Sequence, residues 1–243
     1  MNCLNCGHKL SEKFCSYCGQ KADVKRLDWK SLSEEILHFF THIEKSFFRT
    51  AWLLTIRPGM VIHEYLDGKR KKYHKPIGFL LIWITIFTLL FHFADKLSPI
   101  KETTNGSVFS DAANYIINKY RSIVELIILP FLAINAWLIV AKPKLNYVEV
   151  LAAFFYFSSL LFMLLTLQLV FALIARVNFH TASFDIIIVS IYSIWLIYAG
   201  VSFYKKYEIK YLALRIFISL FTGIAIYFGI AHLLGILVRI WHL

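Results

Sequence analysis

The sequence predicts an all-α polytopic membrane protein with about five transmembrane helices and a small N-terminal zinc ribbon. Of its 243 residues 58% are apolar and 17% charged, and the mean hydropathy is +0.62. A soluble domain averages about 45–50% apolar and about 25% charged residues. Five segments are long and apolar enough to cross a bilayer, and all four cysteines lie near the N-terminus in two Cys-x-x-Cys-Gly pairs. This composition excludes intrinsic disorder and argues against an ordinary water-soluble globule.

The cysteines are spaced as metal ligands: Cys3, Cys6, Cys15 and Cys18. Two intervening residues let both thiolates of a pair reach one ion, and the glycine after each pair permits a positive φ. Four thiolates form a closed tetrahedral site with no position for water or substrate, so we predict structural zinc. An iron–sulfur site and two disulfides are the alternatives, and a reducing cytosol disfavours the disulfides. Metal binding must supply most of the folding free energy of so small a ribbon.

A juxtamembrane region follows the ribbon. Apolar residues recur every three or four positions from Leu32 to Leu54, which predicts an amphipathic helix that lies on the bilayer or packs against the bundle. Ser31 with Glu34 fits a capping box at its start. A second short helix is expected over Pro58–Leu66, because proline suits the first helical position and Gly68 suits the position beyond the end.

Five basic residues stand directly before the first apolar segment: Lys69, Arg70, Lys71, Lys72 and Lys75. We interpret them as a topology determinant and a contact for anionic lipid headgroups, worth about 1 kcal/mol per basic residue. A more specific phosphate or ligand site is the alternative. A short basic run could also indicate nucleic-acid binding, but its position next to the membrane explains it without that.

A helix needs about 20 residues to cross the hydrocarbon core. Five segments meet this length: Ile77–Ala94, Ile123–Ala141, Val150–Ala175, Phe184–Phe203 and Leu212–Val238. Asn146 and Glu149 form a capping pair ahead of the third segment. The chain therefore divides into a zinc ribbon (1–24), an amphipathic and basic juxtamembrane region (25–76) and a transmembrane helical bundle (77–243).

The basic residues also predict the orientation. With the N-terminus in the cytoplasm, 20 of the 26 basic residues fall on the cytoplasmic side, as the positive-inside rule requires. This orientation places the cysteines in a reducing compartment, which agrees with metal binding.

Polar residues are few inside the predicted spans, and Asn135, Gln168 and His232 are the principal ones. We interpret them as interhelical hydrogen-bonding groups, worth about 0.6 kcal/mol each on average. The alternative is that they line a route for a solute. Glu125 is placed near a span end, so no mid-span carboxylate is expected, which disfavours a proton-coupled transporter.

Several motifs together resemble a known family: the two Cys-x-x-Cys-Gly pairs, Phe14-Cys15-Ser16-Tyr17-Cys18-Gly19-Gln20, Arg57-Pro58-Gly59, Tyr65-Leu66-Asp67-Gly68-Lys69-Arg70 and Tyr73-His74-Lys75-Pro76. The chain resembles a bacterial multi-pass membrane family that is catalogued only as a domain of unknown function. The resemblance implies a bacterial cytoplasmic (inner) membrane and a zinc-binding role for the four cysteines. It implies no catalytic residue.

The sequence therefore favours a non-enzymatic interaction or scaffold protein whose ribbon and basic segment bind a cytosolic protein or anionic lipid. A transporter or channel for a small solute or lipid is the alternative. An enzyme that acts on lipid headgroups has the least support, since only His63, Glu64, Asp67 and His74 could serve as acids or bases beside the basic run. Nothing in the pattern predicts an oligomeric state.

Overall fold

The computed structural model of the chain describes residues 1–29, 31–32, 46–97, 108–175 and 182–241. Within these ranges the secondary structure is helical, apart from two isolated β-bridges near the N-terminus. The α-helices are α1 (Ser46–Ile56), α2 (Pro58–Leu66), α3 (Pro76–Leu97), α4 (Val108–Ala136), α5 (Tyr147–Ala175), α6 (Ala182–Tyr204) and α7 (Leu212–Trp241). This architecture confirms the predicted all-α class.

Five of the described helical segments are long and apolar enough to span a membrane: Pro76–Lys96, Tyr120–Ala141, Tyr147–Ala175, Ile186–Tyr207 and Leu212–Val238. The predicted spans agree with them to within a few residues at each end. Helices α3 and α5 pack along each other, and so do α4 and α7. Large apolar side chains cover the outer surface of the bundle, among them Ile194 and Phe221. An apolar exterior of this extent is typical of a surface that faces lipid.

The predicted start of the amphipathic helix is corrected. The side chain of Asp28 accepts hydrogen bonds from the backbone N–H (2.8 Å) and the hydroxyl (2.7 Å) of Ser31. Asp28 therefore occupies the N-cap, because its carboxylate reaches the free N–H groups of the first turn. Glu34, the other half of the predicted capping box, lies outside the described residues, as does all of 33–45.

The boundaries around α2 are as predicted. Pro58 occupies the first helical position. Gly68 follows the helix with a φ of +103°, which a residue with a side chain rarely adopts. Gly59 serves a different purpose, because a Cβ atom there would overlap the backbone of Ser202 on α6. The α2 helix can approach α6 this closely only through a glycine.

Helix α5 lies at the centre of the bundle. Its start is fixed by the predicted capping pair, since Asn146 Oδ1 accepts from the N–H of Glu149 at 2.8 Å and Glu149 Oε2 accepts from the N–H of Asn146 at 2.9 Å. Further along, the Tyr156 hydroxyl donates to the carbonyl of His74 at 2.6 Å. The carbonyl lies two residues before α3, so this bond ties the start of α3 to α5.

Candidate metal centre and its docking surface

The four cysteines meet at one point of the ribbon, as predicted. One ligand atom from each lies within 4.8 Å of the others, and the Sγ–Sγ distances are 3.6 Å for Cys3–Cys18 and for Cys6–Cys15. A tetrahedral zinc site with Zn–S bonds of about 2.3 Å has neighbouring sulfurs about 3.8 Å apart. A disulfide would need about 2.05 Å. The sulfur positions thus fit a tetrahedral metal ion.

Two copies of the same small hairpin, 12 residues apart, supply the ligands. The N–H of Cys3 donates to the carbonyl of His8, and the N–H of Cys15 donates to that of Gln20, both at 2.8 Å. Gly7 and Gly19 adopt φ values of +77° and +70°, as their place after each cysteine pair predicts. The two Cys-x-x-Cys-Gly pairs of the sequence predict two equivalent turns of this kind.

The electrostatics of the cluster also suit a cation. The backbone N–H of Cys18, with a further contribution from Tyr17, lowers the pKa of the Cys15 thiol to about 6. The N–H of His8 lowers the pKa of Cys6, but loss of solvent and hydrogen bonds with the other cysteines outweigh it and raise the value to about 12. Sulfurs this close cannot all ionise without a compensating charge. A divalent metal ion would supply that charge, because it binds the thiolate form of cysteine.

Gln20 connects the ribbon to the basic segment. Its side chain is 4% exposed. The Nε2 atom donates to the carbonyl of Gly68 at 2.9 Å, and Oε1 accepts from the N–H groups of Arg70 (3.1 Å) and Lys71 (3.2 Å). Leu4 also lies against Gly68. The second hairpin of the ribbon is thereby fixed to the chain just before the first span.

A second connection runs from the segment just after the ribbon to α5. The guanidinium of Arg26 donates two hydrogen bonds to the carboxylate of Glu149, one of them 2.7 Å from Nη2 to Oε2. These bonds raise the pKa of Arg26. Beside them, the Asn146 amide donates to the carbonyl of Leu27 at 3.1 Å, and the Leu27 side chain is buried in the main core. The ribbon and the segment after it are thus held at two separate elements.

The basic run is folded around Glu64. The ammonium groups of Lys69 and Lys72 donate to its carboxylate at 2.9 and 2.6 Å, and the Tyr73 hydroxyl donates at 2.6 Å. Burial alone would raise the pKa of Glu64, but these three donors outweigh it and lower the pKa to about 2. Arg70 donates to the carbonyl of Lys25 at 2.6 Å. Much of the basic run therefore pairs with groups of the protein itself. Its contact with anionic lipid stays a prediction.

The candidate acids and bases of a headgroup enzyme are engaged in structural contacts. Glu64 has the donors just described, and Asp67 accepts from Lys206, which directly follows α6, at 2.8 Å. The N–H of His74 donates to Thr50 at 2.8 Å, and its ring packs on Phe47 and Phe79. The ring of His63 packs between Phe203 and Tyr207, and burial lowers its pKa.

Of the predicted intramembrane polar residues, Asn135 joins two helices. Its Nδ2 atom donates to the carbonyl of Ser219 at 2.8 Å, and its Oδ1 accepts from the hydroxyl of Thr222 at 2.9 Å. These bonds tie α4 to α7, as the interhelical interpretation predicts. Gln168 and His232 lie half-buried on α5 and α7.

Glu125 lies near the start of the span Tyr120–Ala141, as expected, but the sequence analysis did not predict its burial. This residue is only 6% exposed, and its Oε1 accepts a hydrogen bond from the Ser158 hydroxyl on α5 at 3.2 Å. It shares the buried face of α4 with Leu129, Ala133 and Ala136. That helical spacing could have revealed its burial, since positions four apart lie on one face. The bundle thus contains a buried carboxyl group.

Helix α6 holds the end of α1 at the edge of the bundle. The indole N–H of Trp195 donates to the carbonyl of Thr55 at 2.9 Å, and the Tyr198 hydroxyl donates to that of Ile56 at 3.0 Å. The last carbonyls of a helix have no partner within it, so these side chains satisfy two of them. Trp195 and Tyr198 lie inside the apolar span Ile186–Tyr207. The end of α1 therefore lies beside the apolar part of α6.

Residues 44–88 match a family profile described as "Protein of unknown function (DUF3667)". The matched segment contains α1, α2, the basic run and the first half of α3. No curated protein and no solved structure matches the chain.

Proposed function

We propose that this integral membrane protein is a non-enzymatic interaction protein, in which a zinc-ordered ribbon in the cytosol binds a protein partner and five helices anchor it. The observation that carries the proposal is a double attachment: Gln20 joins the ribbon to Gly68, and Arg26, in the segment directly after the ribbon, joins that segment to Glu149. In a ribbon held in this way, binding of a partner at the surface can displace α3 and α5. A ribbon on a flexible tether would not.

Zinc is the metal we assign to the four cysteines. An all-thiolate tetrahedral set suits zinc, and its closed coordination fits an ordering role better than catalysis. The assignment requires the reducing compartment that the charge distribution predicts for the N-terminus, namely the cytoplasmic side of a bacterial inner membrane.

The exposed side of the ribbon carries the proposed partner site. Phe14 and Tyr17 are 58% and 78% exposed, and the ring of His8 stacks on Tyr17 at 5.8 Å. Lys9 and Lys13 lie nearby in the sequence and are also exposed. Aromatic side chains of this kind form the energetic centre of many interfaces. The basic residues around them favour a partner with an apolar pocket and an acidic rim.

The bilayer itself is the second proposed contact. The face of α1 that points away from the core carries Phe48, Arg49, Trp52 and Ile56, and all four are exposed. A helix with aromatic and apolar residues beside a basic one suits the interface of a membrane with anionic lipids. The hydrogen bonds from Trp195 and Tyr198 hold the end of this helix beside the apolar span of α6. We propose that α1 lies in the inner leaflet, beside the basic run.

Capture from a cell lysate on the full-length protein in nanodiscs tests the partner site. The F14A/Y17A variant removes the proposed contacts, and Tyr211→Ala is a matched control because Tyr211 is 79% exposed but lies between α6 and α7. We expect a protein that the wild type and the control capture and the double variant does not. Capture that all three share, or no capture above empty nanodiscs, contradicts the proposed site.

Proton-coupled transport is a second candidate function, which the burial of Glu125 favours. Proteoliposomes that contain a pH-sensitive dye test it. Proton uptake that disappears in Glu125→Gln supports transport, and uptake no faster than in empty liposomes contradicts it.

A further inference from the structure

Glu125 lies inside a membrane span. It is five residues from the start of the span Tyr120–Ala141, which places it about 7.5 Å along the helix at a rise of 1.5 Å per residue. Only 6% of the residue is exposed. An ionised carboxylate in such a place is costly unless a cation pairs with it.

The ion pairs that the structure describes involve other carboxylates, namely Asp23, Glu64, Asp67 and Glu149. These four carboxylates lie in the ribbon, in α2 and directly after it, and at the start of α5. Glu125 takes part in none of the described ion pairs. Its hydrogen-bond partner among the described residues is the Ser158 hydroxyl at 3.2 Å. A hydroxyl can donate to a carboxylate or accept from a carboxylic acid, so it serves both protonation states.

Residues of four helices lie around this part of α4. Ser158 comes from α5, and Tyr227 of α7 packs against the buried cluster that contains Val124 and Ile128, which flank Glu125 in the sequence. The Tyr192 hydroxyl donates to the carbonyl of Phe157 at 3.3 Å, next to Ser158. Arg121 lies one turn before Glu125 on α4.

The backbone next to this cluster is irregular. Tyr120, five residues before Glu125, interrupts α4 with φ −127° and ψ 29°. Tyr120 is also the first residue of the apolar span Tyr120–Ala141, so the break marks where the part of α4 that crosses the membrane begins.

We propose that Glu125 and Ser158 form a reversible proton-binding site at the junction of α4, α5, α6 and α7. A proton from water binds a carboxylate oxygen of Glu125 and forms the neutral acid. Its release regenerates the carboxylate, to which Ser158 donates. This inference goes beyond the interaction role, and it holds whether or not the bundle transports a solute.

A hydrophobic carbodiimide tests the site, because it reacts with protonated carboxyl groups in apolar surroundings. The full-length protein in proteoliposomes is treated over a series of pH values, and adducts on the peptide that contains Glu125 are measured by mass spectrometry. We expect adducts at low pH that fall about tenfold per pH unit above a midpoint. Glu125→Gln, which keeps nearly the same shape, gives no adduct on that peptide.

Two serine variants separate proton binding from a purely structural bond. Ser158→Ala removes the donor to the carboxylate, so the midpoint moves to higher pH. Ser159→Ala is the matched control, since Ser159 is buried on the same helix and donates to the carbonyl of Phe155. An adduct yield that does not change with pH, no adduct on Glu125, or equal midpoints in the two variants overturns the proposal. These readouts do not depend on proton uptake, so failure of transport and failure of the site are distinguishable.

Discussion

The side-chain amide of Gln20 donates to the carbonyl of Gly68 at 2.9 Å, across 48 residues of sequence. Gln20 belongs to the second hairpin of the ribbon, and Gly68 ends α2 with a φ of +103°. The same side chain accepts from two further backbone N–H groups. One buried side-chain amide therefore forms three hydrogen bonds with the backbone of the segment that leads into the membrane.

Gln20→Ala tests this connection. The substitution leaves one carbonyl and two N–H groups without their partner, which costs about 1–3 kcal/mol when they stay buried. We expect faster hydrogen exchange over 68–71 with an unchanged zinc content. His8→Ala is the matched control, because His8 holds the equivalent place in the first hairpin and is exposed. Equal exchange in the two variants would refute the docking role of Gln20.

The pKa of Glu64 predicts how the basic segment responds to acid. Because its pKa is lowered to about 2 in the folded protein, Glu64 stabilises the fold above its ordinary pKa, near 4.5. This contribution is lost as the pH falls from about 4.5 towards about 2. We expect thermal stability to decline over that range, and to decline less in Glu64→Gln, which has no carboxylate to protonate. Identical acid profiles for the two proteins would contradict the network.

Gly59 and Gly200 form a matched pair for the contact between α2 and α6. Gly59→Ala forces a methyl group into the backbone of Ser202, so we expect a loss of about 1–3 kcal/mol in the free energy of unfolding. A Cβ at Gly200 meets nothing within 4 Å. Gly200→Ala should therefore be neutral or gain up to about 1 kcal/mol from helix propensity. Thermal unfolding in detergent measures both, and equal midpoints would count against the close packing.

Quenching by lipids with brominated acyl chains tests the position of α1. Trp52 is 68% exposed on the face assigned to the bilayer, whereas Trp29 is 60% exposed and its ring packs on Tyr147 at the first residue of α5. We expect Trp52→Phe to reduce the quenchable part of the tryptophan fluorescence and Trp29→Phe to leave it nearly unchanged. The reverse pattern would place α1 in water.

Features with a local cause were predictable from the sequence. The last span, Leu212–Val238, was predicted with the same ends, because the length of an apolar run decides it. Asn146 and Glu149 cap α5 as predicted, since both partners lie within one helical turn. Cys-x-x-Cys spacing likewise predicted that the four sulfurs would converge.

Features that depend on distant contacts were not predictable in this way. The role of Gln20 needs Gly68 beside it, and the burial of Glu125 depends on which face of α4 meets α5. The predicted cap at Ser31 was wrong, because Asp28 is placed to accept from the same first turn. The sequence predicted a lipid contact for the basic run but not that Lys69 and Lys72 pair with Glu64, because Glu64 lies on the preceding helix.

Hydrogen exchange at the Arg70 and Lys71 amides, before and after a chelator removes metal from the full-length protein, tests the central claim most directly. Both N–H groups donate to Gln20, so they report whether the ribbon is docked. If zinc orders the ribbon and the ribbon holds this segment, chelation speeds exchange at these two amides and leaves the centre of α5 protected. Unchanged exchange at both amides after the metal is lost, or purified protein with almost no zinc, would contradict the account.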